Sequence, residues 1–304
     1  LIALFAGCAK KIPSLDLAKG EKILLSDTPF FPQEDYQCGP ASLAMILNAS
    51  GVKVHPDNLT PLTYIPERKG SLQLELIGAS RKYQRIPYEI DPEITAILAE
   101  LRNGSPVLVL QNYGLKSIPV YHYAVVIGAE PETIILHSGS TETLHLDTAR
   151  FLMSWMQAGA WGIILLKPGE LPANLDIDRY IKAVNGYEKI GEKKLAETAY
   201  IAGLSKHPDA YSLLFALGNN YLDQRKLIEA ETQFRKVLKV DSHNIAAANN
   251  LAEVLGKQGN LSAALSVINQ AVRNAKEHNS PWLPFVKKTY RELNNQKKSS
   301  RQDL

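Results

Sequence analysis

The rhythm of apolar positions changes twice along the chain. Apolar residues recur at helical spacing over 38–50, 72–83 and 92–102, where Asp91 and Pro92 predict a capped helix start. Short β-branched and aromatic runs follow: PVLVLQNY (106–113), HYAVVIG (122–128), ETIILHSG (132–139), TETLHLD (141–147) and WGIILLK (161–167). Turn residues separate them, which predicts antiparallel strands. Helices first and strands later predict an α+β domain over 28–168. Beyond Pro172 the strand pattern stops and only helical spacing remains.

That second half repeats itself at an offset of 34 residues. Ala196, Ala230 and Ala264 coincide, as do Tyr187, Tyr221 and Leu255, and Tyr200, Phe234 and Ile268. Leu217 falls on Leu251, and Gly218 on Ala252. Small residues at fixed slots between large apolar ones, at this period, are the tetratricopeptide pattern of stacked helical hairpins. Three units are predicted, 177–210, 211–244 and 245–278, within an all-α domain over 172–294. Residues 282–293 form a final helix that covers the last apolar face. Residues 295–304 are read as a disordered polar tail.

Composition adds exclusions. The chain has 304 residues, 45% of them hydrophobic and 21% charged, with a net charge of +3. That length accommodates two cores, and the small, scattered charge argues against nucleic acid as a partner. Two cysteines give neither a disulfide framework nor zinc spacing. No cofactor or metal is called for. The start, LIALFAGCAK, lacks a Met and carries an apolar run too short to span a bilayer. It reads as the end of a signal peptide, so 1–27 are taken as signal remnant, lipidation motif and linker. FAGC resembles a bacterial lipobox, with Cys8 as the lipidated residue. The resemblance implies an exported lipoprotein of the bacterial cell envelope, attached to the membrane by its lipid only. Ala9 after the cysteine points to the periplasmic face of the outer membrane.

Cys38 stands at the entrance of the first helix, in PQEDYQCGPASLAMILNASG (32–51). Pro40 suits a first helical turn and Gly51 a stop. Unpaired N–H groups and the positive helix end favour an anion there, so the position predicts a thiolate of lowered pKa. A cysteine nucleophile needs a base from elsewhere in the chain. His207, His243 and His278 fall near helix ends in the repeats, and His55 precedes a proline. His122, His137 and His145 lie in the strands, with His122 at a strand start. A zinc site from Cys38 and these three lacks a close-spaced ligand pair.

PQEDYQCGPASLAMIL followed some eighty residues later by HYAVVIG resembles the bacteriocin-processing, double-glycine-leader peptidases, a family of papain-like cysteine peptidases. The resemblance covers 28–168. It implies Cys38 as nucleophile, His122 as base and Gln33 as the side-chain donor of an oxyanion hole beside the Cys38 N–H, with Gln37 as the competing donor. Where the family usually has Asp-Pro, fifteen residues after the histidine, this chain has His137-Ser138. His137 is the candidate orienting residue, with Asp147, Glu142 or a backbone carbonyl as alternatives. The reading is a peptidase acting on a peptide or leader segment, with repeats that recruit substrate or a protein partner. Its rivals are an inactive binding scaffold and an amidase or transferase using the same thiol.

Overall fold

The computed structural model describes Leu15, 17–33 and 37–302. Cys8 and the lipobox reading lie outside these residues. The chain divides into two compact units, one running to Lys167 and including Pro172–Leu175, the other made of Pro168–Leu171 and the chain from Asp176 onward.

The first unit contains β1 (Ile23–Leu24), α1 (Cys38–Ala49), α2 (Pro56–Thr63), a 3₁₀ turn (Pro66–Arg68), α3 (Gln73–Lys82), β2 (Ile86–Glu89) and α4 (Ile94–Arg102). The strands β3 (Val107–Asn112), β4 (Tyr121–Glu130), β5 (Thr133–Ser138) and β6 (Thr141–Asp147) follow, then α5 (Thr148–Gln157) and β7 (Gly162–Leu166). The sheet runs β2-β7-β3-β4-β5-β6 with every neighbouring pair antiparallel, and β1 also pairs with β4. β1 crosses at Gly128, where a Cβ would lie 2.4 Å from the Ile23 carbonyl oxygen.

Helix α1 is buried on all sides from Gly39 to Leu47, as expected of a helix apolar all round. Leu43, Ile46 and Leu47 pack with Leu108 and Leu110 of β3, Tyr123, Val125 and Ile127 of β4, and Leu165 of β7. The opposite sheet face is met by α5, through the hydrogen bond from Gln111 to Ser154. Asp147 starts α5 by accepting from the N–H groups of Ala149 and Arg150, a side-chain cap. Helix α4 opens later than the sequence predicts: Glu93, not Asp91, is its N-cap, and it makes no side-chain cap bond.

The second unit is three helix pairs and a last helix: α6 (Ile177–Lys189) with α7 (Lys193–Lys206), α8 (Tyr211–Asp223) with α9 (Leu227–Val240), α10 (Ile245–Lys257) with α11 (Leu261–Glu277), and α12 (Leu283–Gln302). First helices begin at 177, 211 and 245 and second helices at 193, 227 and 261, so both steps are 34 residues. The repeated slots are the core: Ala196, Ala230, Ala264, Tyr200, Phe234 and Ile268 are fully buried. Gly218 lies against Phe234, where a Cβ would sit 2.8 Å from the ring. Val286 and Leu293 bury α12 against the stack. The polar stretch expected as a tail from 295 is instead helical as far as Gln302, continuing a helix whose Leu293 is pressed against Gly256.

Candidate active site

Cys38 is the first residue of α1, and the core fixes where that helix begins. Its sulfur receives backbone N–H groups of Tyr123, Gly39 and Cys38 itself, which favour the thiolate. Burial outweighs them and pushes the thiol up from its ordinary value. This reverses the sequence expectation of a lowered pKa. The helix start does favour an anion, but the nine buried residues that anchor it also take the sulfur out of water.

His122 is the second residue of β4 and pairs with Gln111 of β3. Its ring stacks on Tyr113, with centroids 5.6 Å apart and planes 28° from parallel. Burial holds the imidazole below its usual range. Burial therefore shifts both thiol and imidazole toward their neutral forms.

Gln33 is tied down from three directions. Its Nε2 donates to Ser42 Oγ of α1 at 3.2 Å and to the Tyr123 carbonyl of β4 at 3.3 Å. Its Oε1 accepts from the Gly139 N–H at 3.2 Å, in the turn after β5. Gln33, Cys38 and His122 line one cleft of about 560 Å³. Residues 68–72 and Pro119 with Tyr121 and Tyr123 form the rest of its lining, along with Gly139. Gln37 is the N-cap residue of α1, without a side-chain cap bond.

His137 is not brought to His122. It is 3% exposed, with its ring nitrogens facing the Glu142 and Thr28 carbonyl oxygens and its ring tilted against Phe30. Ser138 meets His122 instead, with its Oγ 3.0 Å from Nε2. Successive residues of a strand face opposite ways, so one step in register exchanges the two. The β4–β5 and β5–β6 ladders both shift register, at Val126/Gly128 and at Leu136/Ser138. The other carboxylate candidates are placed elsewhere: Asp147 caps α5, and Glu142 is exposed.

The remaining histidines lie elsewhere. His55 caps α2, accepting from the Asp57 N–H, and His145 lies 3.9 Å from Glu130. His207, His243 and His278 are exposed at or near helix ends. No cluster of three metal-binding side chains occurs among the described residues. No helix among them is long and apolar enough to cross a membrane. Sequence reasoning missed Ser138, Tyr113 and Gln111 around His122. The signal was present in Gln111 at the end of β3 and Tyr113 just beyond it, but only the pairing of Gln111 with His122 gives it meaning.

The architecture is an α+β domain with an antiparallel sheet and a cleft lined by Cys38 and His122, followed by a helical repeat domain of tetratricopeptide type. Residues 25–160 match the model of the Peptidase_C39 like family. Among solved structures, the chain is similar to one described as a C39-like peptidase from Bacillus anthracis, at 18% identity over 48% of this chain and 98% of that one, TM-score 0.42. It is also similar to the peptidase domain of Streptococcus ComA, a bi-functional ABC transporter, at 22% identity over 46% and 98%, TM-score 0.38. The TPR2B domain of yeast Sti1, solved as a complex with pHsp70, matches at 16% identity over 37% and 91%, TM-score 0.36. No curated protein matches the chain.

Proposed function

We propose that the chain is a cysteine peptidase in which Cys38 is the nucleophile, His122 the general base and Gln33 an oxyanion donor. The observation that carries this reading is the convergence of the three side chains on one cleft. With both groups near neutral at rest, His122 takes the Cys38 proton as sulfur attacks the peptide carbonyl. The oxyanion is held by the Cys38 N–H and by a Gln33 N–H that turns away from its present acceptors. One such donor is worth roughly 3–4 kcal/mol. The imidazolium then protonates the leaving amine as the C–N bond breaks, leaving a thioester. Water, deprotonated by His122, hydrolyses it and restores the thiol.

The substrate is a peptide or leader segment, and the repeats recruit it or a protein partner. FAGC, ending in Cys8, supports an exported lipoprotein of the bacterial envelope, on the periplasmic face of the outer membrane. Incorporation of labelled fatty acid at Cys8, absent in Cys8→Ala, tests that part. For the activity, wild type and Cys38→Ala are incubated with whole secreted protein and new N-termini are sequenced. Cleavage by the wild type alone supports the reading, and identical patterns end it. The rival, an inactive scaffold, draws on Ser138 standing where a carboxylate would orient the base.

A further inference from the structure

The cleft that holds Cys38 and His122 is charged on one side only. Among the described residues that line it, Arg68 and Lys69 stand on one wall and no carboxylate joins them. Glu67, the acid just before them, is exposed and does not line the cleft. The facing hairpin, 113–121, adds an exposed Lys116 and contains no acid. The chain as a whole is close to balance, with 34 cationic and 31 acidic side chains, so the excess belongs to the cleft. The loop that carries the two cations is braced. Ile65 and Gly70 exchange both backbone hydrogen bonds, at 2.8 and 3.4 Å, and inside them the Arg68 and Lys69 N–H groups donate back to Ile65 and Pro66. Just beyond, the Ser71 carbonyl accepts from the Tyr123 hydroxyl at 3.3 Å, and the Ser71 side chain lies against Gly39, next to the cysteine. Lys69 has φ +48°, a left-handed backbone that glycine adopts without penalty.

We propose that Arg68, with Lys69 beside it, determines specificity: the cleft takes peptides that carry an acidic side chain within a few residues of the bond to be cut. The substrate half of this statement rests on the peptidase reading; the preference of the cleft for anions does not. A carboxylate entering the cleft meets the planar fork of Arg68, which can hold both its oxygens, and the point charge of Lys69. A basic side chain at the same place meets like charges, so the wall both selects and rejects. Both cations are exposed, which makes their effect one of sequence choice and encounter rate, weakened by salt.

The probes are iodoacetate and iodoacetamide, alkylating agents alike in size and different in charge. Their rates at Cys38 are read on the full chain by mass spectrometry of the Cys38 peptide at low salt, and the ratio of the two is compared between proteins. Arg68→Gln and Lys69→Gly should each lower the iodoacetate-to-iodoacetamide ratio about twofold to fivefold, the scale of one exposed ion pair. The iodoacetamide rate itself should hardly move, and the difference between proteins should fade in about 1 M salt. The helix start and His122 act on all three proteins alike, so the comparison isolates the two cations. Lys69→Gly relieves the left-handed turn as it removes the charge, so a lower ratio in that variant is not a folding defect. Equal ratios in the three proteins, as when acids of the chain itself cover these cations, overturn the proposal. Cuts made by the wild type in secreted protein should be enriched in nearby Asp and Glu, and less so with Arg68→Gln. Cuts without that bias overturn the specificity while leaving the peptidase reading intact. A charge-dependent ratio in a chain that cleaves nothing supports the anion-preferring cleft while ending the peptidase reading.

Discussion

A Cβ placed on Gly39 would fall 2.3 Å from Ser71 Oγ and 2.5 Å from Ser71 Cβ, so the wall of the cleft rests directly on the helix that begins at Cys38. Gly39 is helical, and it is the close approach rather than its backbone conformation that demands glycine. Gly39→Ala should therefore push 68–72 outward and cost about 1–3 kcal/mol, the usual range for overpacking. Gly39→Ala combined with Ser71→Gly should recover most of that loss in denaturant unfolding. Equal stability of the single variant and the wild type would show that the contact is slack.

The neutral thiol and imidazole set the pH dependence of Cys38. Burial raises the thiol, so the thiolate is scarce below the ordinary cysteine range and grows as pH rises toward the shifted value. Iodoacetamide alkylation should climb steadily from pH 6 upward, with no fast plateau on the acid side, and should slow near neutrality in His122→Ala. Labelling as rapid near pH 5.5 as near pH 8 would mean that a preformed ion pair exists after all.

Glu100 is buried in α4 and accepts the Ala173 N–H through Oε1 at 2.9 Å. Burial pushes its carboxyl up from 4.5 to about 7. The unfolded chain thus releases this proton at lower pH than the folded one, so stability falls as pH rises from about 4.5 to 7 and levels off beyond. Glu100→Gln keeps the acceptor and removes the titration. It should match the wild type near pH 4.5 and exceed it by up to roughly 3 kcal/mol at pH 8. Parallel stability curves for the two proteins across this range would refute the argument.

In the repeats, Gly218 has a Phe234 ring where its side chain would be. Gly218→Ala should destabilise the helical domain by about 1–3 kcal/mol through overpacking. Adding Phe234→Ile recreates the Ala252 and Ile268 combination found 34 residues on. The double variant should be more stable than the sum of the two single losses, which a double-mutant cycle measures. Strict additivity would show that the two slots do not meet.

The repeats were readable because each 34-residue step returns the same slot to the same core, as Ala196, Ala230 and Ala264 do. The α+β order of the first domain, and the placing of Cys38 and His122 at one cleft, were readable from spacing and motif. Other features turned on three-dimensional facts that no local pattern carries. β2 contains Pro87, which argues against a strand; it is tolerated because β2 lies at the sheet edge. The partner of His122 depended on a parity of one residue, settled by two register shifts in the ladders around β5. The protonation of Cys38 depended on how deeply α1 is buried, which a helix-start argument does not see.

That depth has a further consequence. The nine buried residues behind Cys38 make its sulfur part of the molecule's foundation, unable to shift without disturbing the sheet. The cleft walls, in contrast, are loops: 68–72 on one side, and on the other the 113–121 hairpin, whose Leu115, Ile118 and Tyr121 project outward. On the peptidase reading, chemistry and recognition would therefore be mechanically separate. Changes in the walls would alter which chain is held while the sulfur, anchored from below, stays where it is.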